Sequence, residues 1–266
     1  WNIANAIEVG DKLDDQWVHR ALVRSGSTWY SFQNGTEYWS ADLGNNALNK
    51  NKTGDNNVAI GESALEQNTA SYNTAVGTNS LTLNTSGTQN TAVGSEAGAS
   101  LTTGSKNVMI GMNAGRVSNI ASSVIVGCDA GVALTTGNEN TAVGAFSLGT
   151  NQTGTRSTAV GFASLNKNTV SDNTAVGYNT LAVSTTGNYN TAVGTNAMVV
   201  NTTGSQNTGI GVNALAANTT TNYNTAVGVN SLSNNQGTQN VAVGNNTLKS
   251  STGSYNVAIG MSAGAD

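Results

Sequence analysis

Apolar and polar residues recur along most of the chain in one short phrase. Asn-Thr-Ala-Val-Gly at 73–77 is one of thirteen related copies, and the glycines that close them stand sixteen or seventeen positions apart. Within the phrase, side chains alternate with the period of a β-strand. Such a repeat is too short for a helical hairpin unit. The pattern therefore predicts an all-β fold, a parallel β-solenoid of about 13 coils with one copy in each coil.

The positions around each closing glycine are strongly restricted. The residue before the glycine is Val or Ile in all thirteen copies, the residue two before is Ala in ten, and the residue four before is Asn in eleven. The residue three before is Thr in eight copies and Val in five, and four residues after the glycine stands Leu, Met or Gly. We refer to these positions below as the valine, alanine, asparagine, threonine and leucine columns.

The alternation assigns these columns to two faces of a strand. The threonine and valine columns share one face, and the alanine column occupies the other. We predict that the valine column fills the core of the coil and that the small Ala/Gly face receives a second copy of the chain. The predicted core residues are Val76, Val93, Ile110, Val126, Val143, Val160, Val176, Val193, Ile210, Val227 and Val243.

Three further local features follow from the repeat. Closing glycines supply the positive φ that a turn requires, at Gly77, Gly94, Gly111, Gly127, Gly144, Gly161, Gly177 and Gly194. Stacked coils place the asparagines above one another, which predicts a ladder of amide hydrogen bonds, weakened where Ser123 and Ser157 replace Asn. A second strand is expected around the Ala/Ser-Leu dipeptide that follows each turn.

Residues 1–50 differ from the repeats and contain all four tryptophans. The segment 27–42 reads as a hairpin with Asn34-Gly35 at its turn, which would place Tyr30 opposite Trp39. Residues 16–23 predict a further strand. We therefore expect a small antiparallel β-domain over 1–50 that covers the first coil, followed by a β-solenoid shaft over 51–266.

Composition excludes several classes of function. Charged residues make up only 9% of the chain and the net charge is −4, without a Lys/Arg cluster, so no nucleic-acid partner is expected. The chain contains no run of 18 apolar residues, so membrane insertion is not expected. Cys128 is the only cysteine, so no intrachain disulfide can form. We expect no cofactor and no metal site, and we expect the chain to be a piece of a longer protein.

Candidate chemistry is sparse. A polysaccharide-cleaving solenoid needs paired carboxylates, but Glu62 and Glu96 fall two coils apart, so we predict that the protein is not an enzyme. Trp29, Tyr38 and Trp39 are candidates for stacking on a receptor's sugars, although the core of the small domain is the favoured place for them. A row of threonines on a solenoid is also typical of ice-binding proteins, but five valines interrupt this row.

Asn-Val-Ala-Ile-Gly at 57–61 and 256–260, with the Asn-Thr-Ala-Val-Gly copies between them, resembles the head repeats of YadA-like trimeric autotransporter adhesins. The longer phrase with Asn-Thr-Thr-Gly, as at 201–204, is more similar to repeats in fibres of tailed phages. The resemblance covers residues 54–264. It implies a left-handed β-roll in a homotrimer, and a non-enzymatic shaft or adhesive segment of a phage tail fibre.

The resemblance also implies a virion or extracellular location and a host-surface glycan or protein as a further candidate partner. Two alternatives remain within this class, namely a bacterial surface adhesin head and a subunit of an extracellular filament. An ice-binding protein is the alternative from another class.

Overall fold

The structure, a computed structural model, describes residues 6–8, 11–13, 16–25, 28–34 and 40–264, with side chains from Gly44 onward. These residues contain strands and turns and no helix. The chain divides into two units, residues 1–121 and 122–266. The strands of the first unit are β1 Ala6–Glu8, β2 Asp11–Leu13, β3 Gln16–Ser25, β4 Thr28–Asn34, β5 Ser40–Leu43, β6 Asn57–Ile60, β7 Thr74–Val76, β8 Thr91–Val93 and β9 Val108–Ile110.

The second unit contains nine short strands. They are β10 Val124–Val126, β11 Thr141–Val143, β12 Thr158–Val160, β13 Thr174–Val176, β14 Thr191–Val193, β15 Thr208–Ile210, β16 Thr225–Val227, β17 Val241–Val243 and β18 Val257–Ile259. Each pairs in parallel with the next, and like residues lie opposite one another, as Thr158 lies opposite Thr174. The thirteen strands β6–β18, one in each repeat, confirm the predicted parallel β-solenoid.

The N-terminal strands pair as antiparallel neighbours, but not in the predicted register. β3, which covers the strand predicted at 16–23, pairs with β1, β2 and β4. β4 pairs with β5 so that Tyr30 lies opposite Leu43, and the predicted pairing of Tyr30 with Trp39 is wrong. The reason is that β5 is also held by the solenoid, in parallel with β6. Gly35, in the predicted turn, lies outside the described residues.

β5 belongs to an additional coil that the thirteen closing glycines did not indicate. Ser40 lies opposite Asn57 of the next coil. Gly44 takes the closing position, one repeat ahead of Gly61, and Leu48 has the positive φ (50°) of the leucine column. Repeat geometry therefore starts ahead of residue 50, the limit predicted for the N-terminal domain.

The two strand faces have the opposite roles from those predicted. The alanine column points into the coil, and its members from Ala59 to Ala242 are 0% exposed. The valine column is half-buried or exposed on the outer surface, with Ile60 at 36% and Ile210 at 40%. The predicted core positions Val76, Val93, Ile110, Val126, Val143, Val160, Val176, Val193, Ile210, Val227 and Val243 therefore do not line the interior of the coil.

The narrow interior of the coil explains this arrangement. The leucine column enters from the opposite wall, and Leu65, Leu81, Leu148, Leu165, Leu181 and Leu215 are each 0% exposed. A Cβ added to Gly209 of the alanine column would lie 3.0 Å from Met198 Cε and 3.3 Å from the Ala214 carbonyl oxygen. Because little more than a methyl group fits there, Ala faces inward and the larger Val or Ile is left outside.

Core volume is maintained by exchange between positions. Where the leucine column holds Gly131, Leu134 occupies its space, 2.8 Å from the position a Cβ would take on that glycine. Gly115 is filled in the same way by Met109, whose sulfur lies 3.0 Å from such a Cβ. Both Leu134 and Met109 are fully buried. Interior apolar volume is thus held nearly constant from coil to coil, as close packing requires.

The wall opposite the strands is not a second strand, contrary to prediction. The residues two and four after each closing glycine have left-handed φ, as in Ser63 (55°) and Leu65 (52°). Their amides bond to neighbouring coils, for example Leu65 N to Ser80 O at 3.0 Å. Alternating left-handed residues prevent the extended conformation of a strand, while the bonds between coils satisfy the backbone as a ladder would.

The predicted asparagine ladder is confirmed. Asn190 N donates to Asn173 Oδ1 at 2.9 Å, and Asn190 Nδ2 donates to the Gly204 carbonyl of the next coil at 2.8 Å. At Ser157 the predicted weakening is seen, because its Oγ accepts the Asn173 amide at 3.5 Å, a long contact. At Ser123 it is not, because Oγ accepts the Asn140 amide at 3.1 Å, within the usual range. The ladder thus fixes each strand against the next inside a core that has no room for larger apolar groups.

A second asparagine, seven residues after the closing glycine, closes the loop that leads back to the strand. Asn84 Nδ2 donates to Gly87 O three positions on at 2.9 Å, in one of the longer coils. Asn68 Nδ2 donates to Ala70 O two positions on at 2.7 Å, in one of the shorter coils. The single residue by which coils differ in length is therefore held inside this turn, and the strand register is unaffected.

The closing glycines are required for two reasons. The eight predicted at turns have φ between 124° and 138°, a region that L side chains rarely adopt. A Cβ on Gly94 would also lie 2.5 Å from the Gly111 carbonyl oxygen of the next coil. Both the conformation and the close stacking therefore demand a residue without a side chain.

Candidate functional site

The outer surface of the strands in the second unit is regular in pattern and carries no charge. We call it the strand face, made of the threonine column, the valine column and the residue that follows each closing glycine. In unit 2 the third of these columns contains Phe162, Tyr178, Val212 and Val229, which are 40–55% exposed. In-register pairing stacks like residues above one another along the face. Half-exposed apolar side chains in such rows mark a surface suited to contact with another macromolecule.

The same columns occur in the first unit. There the valine column consists of Ile60, Val76, Val93 and Ile110, and Met112 follows a closing glycine at 53% exposure. Glu62 is the only charged residue in the three columns of all thirteen repeats. Depletion of charge together with exposed Val, Ile and Met is the composition of an interface core and not of ordinary solvated surface.

Three aromatic side chains form a continuous cluster at the edge of the strand face. Phe146 and Phe162 meet edge to face with ring centroids 5.7 Å apart, and Phe162 stacks on Tyr178 at 5.5 Å. Consecutive coils bring them together because each lies one or two residues after its closing glycine. Packing between coils stabilises them, with about 0.5–1.5 kcal/mol expected for each such pair.

Of the candidate residues whose side chains the structure describes, Glu62 and Glu96 lie two coils apart, with the coil of Thr78 and Asn79 between them. Tyr38 and Trp39 lie outside the described residues, and of Trp29 the structure gives the backbone in β4 alone. Glu96 faces Arg116 at 3.8 Å, an exposed ion pair. Across the described part of the chain, no group of three His, Cys, Asp or Glu is arranged to hold a metal ion.

Cys128 lies on the strand face and is half-buried. Its thiol donates to Asp129 Oδ2 at 3.3 Å. This hydrogen bond to the carboxylate, with some desolvation and the nearby negative charge, raises the pKa of Cys128 above its usual value. Because the thiolate is the nucleophile, a shift in this direction favours the less reactive thiol form of Cys128.

A second ion pair lies in a separate column, five residues before the closing glycine. Arg156 binds Asp172 of the next coil through two bonds, Nε to Oδ1 at 2.7 Å and Nη2 to Oδ2 at 2.9 Å. The guanidinium lowers the pKa of the Asp172 carboxyl, chiefly by hydrogen bonding. This pair links two coils at the surface, where such bridges stabilise little.

Farther along the same column, the side chains become aromatic and neutral. Tyr189, Tyr223 and Tyr255 are 56–76% exposed and alternate with exposed Gln206 and Gln239. We call these five residues the tyrosine strip. The strip was not predicted from the sequence, although its residues stand at a constant offset of five before the closing glycine. The exposed role of the valine column was also missed, because the leucine column was not weighed as the filler of the core.

Comparison with known proteins adds no relative. No protein-family model, no curated protein and no solved structure shows a significant match to the chain. Nor does any helix capable of crossing a membrane occur in the residues that the structure describes. The repeat and the strand face are therefore the features of the chain that bear on its function.

Proposed function

We propose that this chain is a non-enzymatic shaft segment of a homotrimeric tailed-phage tail fibre, giving length and stiffness and contributing to attachment at a host surface. The single observation that carries the proposal is the strand face. It repeats in register and is almost free of charge, yet its Val and Ile side chains remain partly exposed in the single chain. A face of this kind is stabilised when another copy covers it.

The proposed trimer forms through the strand face and not through the Ala/Gly face, which lies inside the coil. In unit 2, nine strands about 4.8 Å apart and a width of about four residues give a face of roughly 500 Å². A patch of this size lies at the upper end of what a typical monomer leaves exposed. The four repeat strands of unit 1, β6–β9, add a second patch of the same composition.

The left-handed sense of the coils, the number of copies and the virion location rest on the resemblance to phage fibres and YadA-like heads. Three repeated features of the coil support a regular shaft with an outward contact surface, namely an inward Ala column, an inward asparagine ladder and outward Val or Ile. A head of a bacterial surface adhesin or an extracellular filament subunit would use the same face. Solution mass and electron microscopy of the assembled particle separate a closed trimer from an open filament.

Native mass spectrometry at micromolar concentration tests the trimer directly. The expected species has three times the 26.9 kDa mass of the chain. Replacing Val176 and Val193 by Lys on the strand face should give monomer, because nearby like charges would be buried together. The matched control replaces exposed Thr186 and Thr203, on the loop side of the same coils, by Lys and should leave the mass unchanged. A wild-type monomer, or a trimer that survives the valine changes, would refute the assembly.

Ice binding is a second candidate function, because one observation favours it. Thr141, Thr158, Thr174, Thr191, Thr208 and Thr225 form an uninterrupted, half-exposed column in unit 2. A regular array of hydroxyl and methyl groups can match the repeat of an ice surface. The bulky Phe162 and Tyr178 beside this array disfavour a flat contact with ice.

Thermal hysteresis separates the two functions, because ice requires an open strand face and the trimer requires a covered one. A monomer with hysteresis that Thr174→Lys abolishes would establish ice binding and overturn the fibre proposal. A trimer without hysteresis is the expected result.

A further inference from the structure

The tyrosines of the strip adopt the left-handed conformation that stacking of the coils imposes on this position. Tyr189, Tyr223 and Tyr255 have φ of 57°, 59° and 63°. A bulky residue is unusual in this left-handed region, which Asn and Asp tolerate better. Asn56 and Asp172 occupy the same position in other coils. Lys106, Glu139 and Arg156 share this conformation, so the backbone alone does not distinguish the tyrosines. They differ in being neutral, aromatic and more than half exposed on alternate coils, and exposed rings in one row mark a surface suited to contact.

The strip is also rigidly placed. Two tyrosines donate the backbone amide to the carbonyl of the preceding coil, Tyr223 N to Ser205 O at 3.2 Å and Tyr255 N to Thr238 O at 3.1 Å. Gln206 and Gln239 are held in the same way, to Asn188 O at 3.0 Å and Asn222 O at 3.1 Å. Directly after each of these residues comes an asparagine of the ladder. The backbone of the strip is therefore fixed coil by coil, and its side chains project from an ordered row of positions.

Spacing and charge define the ligand that would fit. Tyrosines stand on alternate coils, so successive rings are about 9.6 Å apart along the strip. This distance is close to the disaccharide repeat of an extended β-1,4-linked glycan, in which every second sugar presents the same face. The five residues carry no charge, which suits a neutral chain and disfavours nucleic acid or an acidic polymer. Exposed glutamine amides between the rings supply donors and acceptors for sugar hydroxyls.

We propose that the tyrosine strip binds an extended, neutral β-1,4-linked polysaccharide, with alternate sugars packed on the three tyrosine rings and the intervening glutamines bonded to hydroxyl groups. This site deepens the attachment role proposed above and rests on it for its biological use. The binding itself requires only the second unit's coils, and so it can fail or succeed separately from the trimer.

The test uses the whole chain and four soluble probes, cellohexaose, chitohexaose, maltohexaose and dextran oligosaccharides, in isothermal titration calorimetry. Binding of cellohexaose or chitohexaose, and of neither α-linked control, is expected, since α-linked chains do not present sugars at this spacing. The comparison of the first two probes identifies whether the group at C2 is hydroxyl or acetamido. Absence of binding to both, or equal binding of maltohexaose, would overturn the proposal.

Variants then locate the site. Changing Tyr189, Tyr223 and Tyr255 together to Gln, a residue that three other coils carry at this position, should preserve folding and weaken binding at least tenfold. The triple Phe variant keeps the rings and should stay within about threefold of wild type. Tyr72→Gln, a lone tyrosine at the equivalent position in unit 1, is the matched control and should change nothing. Unchanged affinity in the triple Gln variant, or equal loss in the Phe variant, would refute stacking on the strip.

These outcomes are distinguishable from failure of the proposed function. Native mass spectrometry reports the trimer and calorimetry reports the glycan site. A trimer that binds none of the probes would leave the shaft role standing and remove the strip, whereas a monomer that binds them would do the reverse.

Discussion

Replacing Asn190 by Ala removes one rung of the buried ladder, and the structure indicates the cost. Asn190 is 1% exposed. Its Oδ1 accepts the Asn207 amide at 3.0 Å, so that amide would be left buried without a partner, at about 1–3 kcal/mol. Its Nδ2 bond to Gly204 O is also lost, but Asn201 Nδ2 still donates to that oxygen at 2.8 Å, so this loss costs only about 0.5–1.5 kcal/mol. The free energy of unfolding should therefore fall by about 1.5–4.5 kcal/mol.

Asn190→Ser is the graded comparison, because serine already occupies this column twice. Ser123 Oγ accepts the Asn140 amide at 3.1 Å, and Ser157 Oγ accepts the Asn173 amide at 3.5 Å. Serine should therefore retain an acceptor for the Asn207 amide and cost less than half as much as alanine. Exposed Gln206→Ala, the surface control, should stay within about 0.5 kcal/mol of wild type.

Urea unfolding followed by circular dichroism, at one fixed protein concentration, measures these differences as shifts in the midpoint at constant slope. A fixed concentration matters because assembly would add to the apparent stability. If Asn190→Ala costs no more than the surface control, or if Asn190→Ser costs as much as alanine, the role assigned to the ladder is refuted.

Three further predictions concern the core and the cysteine. Ala175→Leu should destabilise the fold by about 1–3 kcal/mol through overpacking, whereas Val176→Thr should cost the single chain less than about 1 kcal/mol. The opposite order of urea midpoints would show that the valine column, and not the alanine column, fills the core. Leu148→Gly should lower the free energy of unfolding by about 2–4 kcal/mol. Adding Asn151→Leu should recover part of that loss, because Leu134 fills the same space beside Gly131. A double-mutant cycle without coupling between the two positions would contradict this exchange. Asp129→Asn should lower the raised pKa of Cys128, because the carboxylate that accepts the thiol's hydrogen bond is removed. The larger thiolate fraction should increase the rate of reaction with a disulfide reagent at mildly alkaline pH. An unchanged rate would show that the carboxylate does not control the thiol.

The sequence was sufficient to predict the solenoid architecture because each column of the repeat is restricted to a few residue types, independently of the other columns. The short, nearly constant period predicted single coils, and the recurrence of asparagine at Asn73 and Asn90 predicted the ladder. Positive φ at the closing glycines followed from the absence of a side chain there. Each of these features concerns one residue type at one offset, and each is set by local chemistry.

Orientation of the strand could not be obtained from alternation alone. A period of two identifies which residues share a face, but not which face lies inside. Both faces here lack charge, so polarity did not decide between Ala75 and Val76. The deciding fact is steric, since the leucine column fills most of the interior from the opposite wall.

The left-handed φ of the leucine column also could not be predicted from residue propensity. Leucine seldom adopts positive φ, yet Leu65 and Leu181 do so at 52° and 48°. The neighbouring coils impose this conformation through hydrogen bonds such as Leu181 N to Ala197 O at 3.1 Å. Such a preference belongs to the stacked assembly and is invisible in any single repeat. The same limit applies to the tyrosine strip, whose exposure and rigidity appear only when coils are stacked.

The asparagine-closed turn has a consequence for how this protein can be altered. It closes on a carbonyl either two or three positions on, as Asn68 to Ala70 and Asn84 to Gly87 demonstrate, without moving the strands on either side. Strand and leucine wall, by contrast, are held to their neighbours residue by residue. Insertions and deletions should therefore accumulate at this one point, and a foreign peptide grafted beside exposed Thr203 would be tolerated there. Repeated in successive coils, such grafts would stand in a row about 4.8 Å apart, so the solenoid would present peptides at a fixed spacing.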